Sequence, residues 1–502
     1  MKYISTRNAS RCVSGSEAIL MGISPEGGLF VPETFPQFSL SEIASMGEMS
    51  YAERSALIMS RYLDEFTYEE LLAIAERAYA RFDDEDACPL TKIEEDLYIL
   101  ELWHGPTYAF KDVALTVLPQ LLSACRTKKG ETDKTLVLVA TSGDTGKAAL
   151  EGFKDIPGTE IMVFYPDEGV AHMQKMQMIT TGGENTYVAG IKGNFDDAQT
   201  AVKKIFTDQS VRDRLKAGGY VMSSANSINW GRLLPQIAYY FSAYADLVSS
   251  EEIALGDKVN FVVPTGNFVV PTGNFGDILA GYYAMRMGLP VNKLLCASNI
   301  NNVLTDFFET GEYDAKRDFH KTISPSMDIL VSSNLERLLF EFVDRDDAAL
   351  RALMSDLKEK GKYSVDVLSI KKKLGFFAAG YADEDETMET IYNTFDEYGY
   401  VVDPHTSVAL AVYNDYYLAS GDATPSVVLS TASPYKFAQD VYEAVGETYV
   451  DDPFKAVRKL HFLTGMEVPE GIEELEVAEP RFTDVLSGDE IKEKVLAKVK
   501  GE

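Results

Sequence analysis

Apolar residues along this chain fall into two alternating patterns, and their alternation predicts its organisation. Between about residues 97 and 300, short continuous apolar runs predict buried strands at Leu136–Ala140, Ile161–Tyr165, Tyr187–Ile191 and Val259–Val263. Turn-forming residues follow these runs, and then helices: Lys147–Phe153, Met173–Met178 and one starting at Asp196. Strands apolar on both faces and separated by helices imply parallel sheets covered on both sides. Residues 1–95 predict a mainly helical domain after a short extended start, with a turn at Ser24–Pro32. Beyond about residue 300 the pattern becomes more helical, with an acidic loop at Asp383–Glu386 and an amphipathic surface helix over Asp489–Lys498.

The resulting fold class is α/β with open, mostly parallel sheets, after a mainly helical N-terminal segment, in two or three domains. At 502 residues the chain exceeds what one core usually supports.

Composition narrows the function. No apolar run reaches the ~18 residues of a membrane span, and the first residues lack the apolar core of a signal peptide. Four cysteines without a C-x-x-C pair suit free thiols in a reducing cytoplasm, and five scattered histidines offer no metal site. A formal charge of −31 opposes nucleic-acid binding. It also requires that any anionic ligand be held by local N–H groups, helix N-termini and a few placed cations.

Several loops carry candidate chemistry. In His104-Gly-Pro-Thr-Tyr-Ala-Phe-Lys111-Asp112 a lysine follows a rigid turn and starts a helix with an apolar face. Desolvation there lowers an amine's pKa, as a Schiff-base lysine requires. Pro271-Thr-Gly-Asn-Phe-Gly276 is a glycine-containing loop between strand and helix, suited to a phosphate. Ser142-Gly-Asp-Thr-Gly-Lys147 fails as a nucleoside-triphosphate loop, because Thr141 and Ala148 stand where glycine and Ser/Thr are needed. It still offers hydroxyls and N–H groups to a small carboxylate. Asn226, Ser227 and Arg232 offer donors for an oxyanion before a helix beginning near Leu233, although a capped helix start would suffice for Ser227, and Thr431 follows the strand Val427–Leu429. Phe261–Asn267 is repeated without change as Phe268–Asn274. The second copy runs into the helix and takes the phosphate-loop assignment; which copy occupies the sheet is open.

A lysine nucleophile, a phosphate loop, a carboxylate loop and a terminal hydroxyl on one α/β chain point to a pyridoxal phosphate enzyme. Together His104–Asp112, Ser142–Gly146, Ser224–Arg232 and Pro271–Asp277, with Tyr3–Arg7 and Gly27–Pro32, resemble the threonine synthase family from residue 3 to about 440. The resemblance implies a tryptophan synthase β-like fold (pyridoxal phosphate fold type II): an N-terminal domain over 1–95, a large α/β domain over 96–130 and 235–450, a small α/β domain over 131–234 and a C-terminal helical extension over 451–502. It implies that Lys111 holds the cofactor as a Schiff base and is the catalytic base. Gly273, Asn274, Phe275 and Gly276 would bind the cofactor phosphate, and Thr431 would face the pyridine nitrogen. Ser142, Gly143, Asp144 and Thr145 would take the substrate carboxylate; Asn226, Ser227 and Arg232 would lie toward the substrate phosphate. The implied reaction converts O-phospho-L-homoserine and water to L-threonine and phosphate, in a cytoplasmic monomer or homodimer. Two departures stand out: Ser433 replaces the family's histidine in Thr431–Phe437, and Asn8 follows Ser5-Thr6-Arg7 in place of glycine. A serine/threonine dehydratase-like lyase, or a silent cofactor-binding chain, are the alternatives.

Overall fold

The computed structural model describes every residue except 142, 169, 194, 265–274, 447 and 499–502. Its described residues form two large sheets. The six-stranded sheet runs Phe377–Tyr381, Val291–Ser298, Val259–Pro264, Ser426–Ser430, Leu97–Glu101 and Leu90–Glu94. It is parallel except for the last strand, which closes an antiparallel hairpin. The five-stranded sheet runs Val485–Leu486, Thr186–Ile191, Thr159–Pro166, Lys134–Ala140 and Tyr220–Ser223, parallel throughout. Its central strands are apolar on both faces because helices cover both, which is why the sequence shows runs rather than alternation.

The N-terminal segment pairs Lys2–Ser5 antiparallel with Asn8–Ser14 and Phe30–Pro32. It then forms helices at Tyr51–Tyr62 and Tyr68–Tyr79, each opened by a capping box. Several expectations change. The boundary at 95 cuts the Leu90–Glu101 hairpin, whose first strand belongs to the six-stranded sheet. The acidic Asp383–Glu386 is no loop: Asp383 accepts from Glu386 N–H and caps the helix Glu384–Tyr398, where carboxylates suit the helix dipole. The 451–502 tail is not purely helical, since Val485–Leu486 pairs with Thr186–Ile191. The following helix, Gly488–Ala497, buries Ile491, Val495 and Leu496 against the helix Phe195–Thr207. The helix expected near Leu233 starts at Trp230, capped by Asn229.

The first copy of the repeat occupies the sheet. Phe261–Pro264 pairs with Val291–Ser298 on one side and Ser426–Ser430 on the other. The second copy, Phe268–Asn274, lies outside the described residues; the next helix opens at Gly276.

Candidate active site

The carboxyl ends of both sheets' strands supply the site, as expected for open α/β sheets. The segment after Leu97–Glu101 turns back sharply. Tyr108 N–H donates to Gly105 O (2.9 Å), and Asp112 accepts from both N–H and Oγ1 of Thr107 (2.7 Å each). A side chain on Gly105 would meet Asp112 at 2.4 Å, so the turn needs glycine. Burial pushes the Asp112 carboxyl up to about 6, against those hydrogen bonds. The turn delivers Lys111 as the first residue of the helix Lys111–Leu115.

Lys111 is 2% exposed. Its Nζ lies 3.5 Å from Asp144 Oδ2 and 3.5 Å from Ser326 Oγ. Burial lowers its pKa; Asp144 works the other way, and the cations Lys436 and Arg232 add to the lowering. Thr431 is brought beside it, since Phe110 N–H donates to Thr431 O (2.9 Å) and Ala109 bridges Ala432.

Asp144 opens the helix Asp144–Phe153, next to Gly143, where a side chain would meet Gln174 at 2.3 Å. Its carboxylate is engaged by Lys436 Nζ (2.9 Å) and Gln174 Nε2 (3.0 Å) at Oδ1. Burial raises its pKa, but Lys436 and Lys111 override that and leave it well below the usual carboxylate range. The Asp144 side chain therefore faces two lysines, and what this helix start can offer a substrate carboxylate is its N–H groups, with Thr145 alongside. Lys147 turns away into a buried pair with Glu151 (2.7 Å), so the resemblance to a nucleotide loop was misleading in geometry also.

Arg232 is 1% exposed; its Nη1 donates to Ala225 O (2.8 Å), and its Nε has no partner among the described residues. Burial pushes the guanidinium down to about 10. Ser227 is buried on the preceding loop, within 3.4 Å of Asn334 Nδ2, and Asn226 is half-buried beside it. The N-terminal motifs meet this loop. Arg337 donates to Phe30 O (3.0 Å) and Ile228 O (2.7 Å) and pairs with Asn334, while Arg7 pairs with Glu336 (2.7 Å).

Phe275, in a left-handed conformation at φ 49°, caps the helix Gly276–Arg286. Gly273, Asn274 and Ser142, named from sequence, lie outside the described residues. Three further groups escaped sequence reading. Lys436 reaches Asp144 from the turn Pro434–Phe437, Ser326 reaches Lys111, and His405 holds Ser326. His405 Nε2 accepts the Ser326 N–H (3.1 Å), so its proton sits on Nδ1, facing Asp403 (2.5 Å). Only Lys436 carried a signal, being a lysine among aromatic residues in a motif already singled out. Ser433, the departure from the resemblance, caps that turn by accepting from Tyr435 N–H.

A buried amine of lowered pKa, a hydroxyl at the end of the neighbouring strand and a helix N-terminus at the sheet's carboxyl edge fit pyridoxal phosphate. The model for pyridoxal-phosphate dependent enzymes matches residues 87–432. Fold and site thus define a pyridoxal-phosphate-dependent enzyme of the tryptophan synthase β-like, type II fold. The models for the threonine synthase N terminus and the threonine synthase C-terminal region match residues 2–79 and 406–495. Threonine synthase of Methylobacillus glycogenes is 37% identical over 459 residues, covering 89% of this chain and 92% of its own length. The pyridoxal phosphate-bound threonine synthase structure from Brucella melitensis superposes with a TM-score of 0.88 at 36% identity, covering 100% of both chains. The yeast threonine synthase structure gives 0.87 at 32% identity, covering 99% of both. The chain belongs to the threonine synthase family. Threonine synthase-like 1 of Macaca fascicularis is 39% identical over 441 residues, 86% of this chain; the match spans 58% of that relative's length. Among the described residues no helix is long and apolar enough to cross a membrane.

Proposed function

We propose that the protein converts O-phospho-L-homoserine and water to L-threonine and phosphate, as a carbon–oxygen lyase. The observation that carries this reading is Arg232, a buried guanidinium close to the buried Lys111 and with an Nε donor that has no partner among the described residues. Such a donor is costly unless an anion completes it. An enzyme acting on unphosphorylated serine or threonine needs one carboxylate site, which the first N–H groups of the helix Asp144–Phe153 would already provide.

In this reading Lys111 holds pyridoxal phosphate covalently. Phe275 and Gly276, with Gly273 and Asn274, hold its phosphate, and Thr431 faces its ring nitrogen. A hydroxyl there leaves that nitrogen largely unprotonated. The bound cofactor supplies the electron sink that makes hydrogens at Cα and Cβ acidic. The remaining work belongs to the chain. Ser142, Gly143, Asp144 and Thr145 orient the substrate carboxylate through N–H and hydroxyl groups. Asn226, Ser227 and Arg232 hold the substrate phosphate, and Arg232 stabilises the charge that grows on it as the Cγ–O bond breaks. Lys111 Nζ takes protons from Cα and Cβ, delivers one to Cγ once phosphate has left it so that it becomes a methyl group, and returns one to Cα at the end, a task suited to an amine whose pKa is lowered by burial. Water then adds at Cβ.

A phosphate-release assay with O-phospho-L-homoserine and added cofactor tests the reading. Lys111→Ala is expected to abolish release with an unchanged far-UV spectrum; full residual activity would refute Lys111 as the base. Arg232→Met is expected to lower kcat/KM about 100-fold, the usual scale for one buried charged donor. Ammonia release from serine or threonine without phosphate release from the phosphoester would favour the dehydratase-like reading instead.

A further inference from the structure

Two lysines share one buried carboxylate in this site. Lys436 is fixed: its side chain is fully buried, and its turn is pinned by Tyr435, whose hydroxyl donates to Met466 O, and by Phe437 packed on His405. Its Nζ makes two short contacts, with Thr107 O (2.7 Å) and Asp144 Oδ1 (2.9 Å). Lys111 meets the same carboxylate only at 3.5 Å, through Oδ2. Two ammonium groups on one carboxylate leave a surplus positive charge in a region closed to water. Burial in that form favours loss of one proton, and the lysine held farther from the shared carboxylate is the one to lose it.

We propose that Lys436 is a positioning residue: a buried side chain that claims the Asp144 carboxylate and leaves Lys111 to react as an uncharged amine. A neighbouring cation is a recognised way to activate a nucleophilic lysine. Titratable and charged groups facing the pair act in both directions. Arg232, on the helix Trp230–Leu233, repels a proton from Lys111 as Lys436 does. Asp277, on Gly276–Arg286, faces Lys111, and Asp112, on Lys111–Leu115, faces Lys436. His405, on Pro404–Ser420, faces Asp144. Losing Lys436 removes a repulsion and hands Asp144 to Lys111, so both consequences raise the proton affinity of Lys111.

The inference rests on Lys111 being the cofactor-bearing lysine, and the test separates the two. Full-length protein stripped of cofactor is mixed with pyridoxal phosphate from about pH 6 to about pH 10, and the capture rate is followed by absorbance. In capture the amine nitrogen forms a C=N bond with the aldehyde carbon; the carbonyl oxygen leaves as water with the two amine hydrogens. Borohydride trapping and peptide mass locate the modified residue. Modification that persists in Lys111→Ala would refute the assignment of Lys111 itself. With Lys111 established, Lys436→Gln is expected to move the midpoint of the rate–pH profile up by about one unit, about tenfold slower capture below it. Lys436→Arg keeps the cation and is expected to keep the wild-type midpoint. Asp144→Asn removes the attraction and is expected to move the midpoint down. An unchanged midpoint in Lys436→Gln overturns the proposal; if that variant does not fold, an unchanged midpoint in Asp144→Asn does so.

Discussion

His104 opens the segment that ends at Lys111, and its surroundings make it a cation. Nδ1 faces Asp83 (2.7 Å), Nε2 faces Glu101 (2.8 Å), and the ring stacks on Trp103 at 4.3 Å. Burial works against its charge, yet the hydrogen bonds to Asp83 and Glu101 prevail and hold its pKa up at about 9. An unfolded histidine titrates near about 6.5. The folded value lies above it, so this contribution is complete below about pH 6.5 and disappears as pH rises through about 9. Thermal unfolding is therefore expected to show a loss of about 1–3 kcal/mol between about pH 7 and pH 10 that is absent from His104→Gln. Parallel curves for the two proteins would contradict it. Single residues were unequally legible in the sequence. Lys111 was visible because its neighbours spell a turn and an apolar helix face. The roles of His104 and Lys436 were not, because each depends on a carboxylate that the fold brings from elsewhere: Asp83 and Asp144 are remote in sequence from the side chains they meet. Arg232 could be named as an anion ligand from its loop, but that its Nε donor has no partner among the described residues is a fact of burial alone.

At the scale of elements, apolar runs located the inner strands well, since burial on both faces leaves a mark that no surface helix imitates. What escaped was pairing at the edges. Val485–Leu486 is a two-residue strand, too short for any periodicity, and Leu90–Glu94 is half exposed. The duplicated heptapeptide belongs to this scale. Because its copies are identical, deleting either one yields the same chain, in which Phe-Val-Val-Pro is followed by Thr-Gly-Asn-Phe and then the helix Gly276–Arg286. The strand Val259–Pro264 keeps every pairing residue, while the connection shortens from residues 265–275 to those four. Four residues is an ordinary length between strand and helix. Closing the shorter connection costs about 1 kcal/mol less by loop-closure entropy. The deletion is therefore expected to raise the melting temperature and to preserve or raise cofactor occupancy, measured by absorbance per chain. A collapse of occupancy would mean that the extra seven residues help to build the phosphate loop.

For the whole molecule, a local field and a distant field oppose each other. The chain carries 47 Lys and Arg against 78 Asp and Glu, a formal charge of −31. At long range it repels a substrate bearing both phosphate and carboxylate. Inside the site the balance reverses, with Lys436 buried against the low-pKa carboxylate of Asp144 and Arg232 buried near Lys111. Salt screens the two fields differently. Surface charges more than about 8 Å apart are largely screened at about 0.15 M ionic strength, whereas buried pairs keep most of their interaction. Added salt should thus weaken the repulsion more than the binding. On the proposed activity, the KM for O-phospho-L-homoserine is expected to fall, with kcat nearly constant, as potassium chloride rises from about 10 mM to about 150 mM. A KM that rises across this range would mean that the substrate phosphate meets exposed cations rather than the buried Arg232, and would move the phosphate site out of the fold's interior.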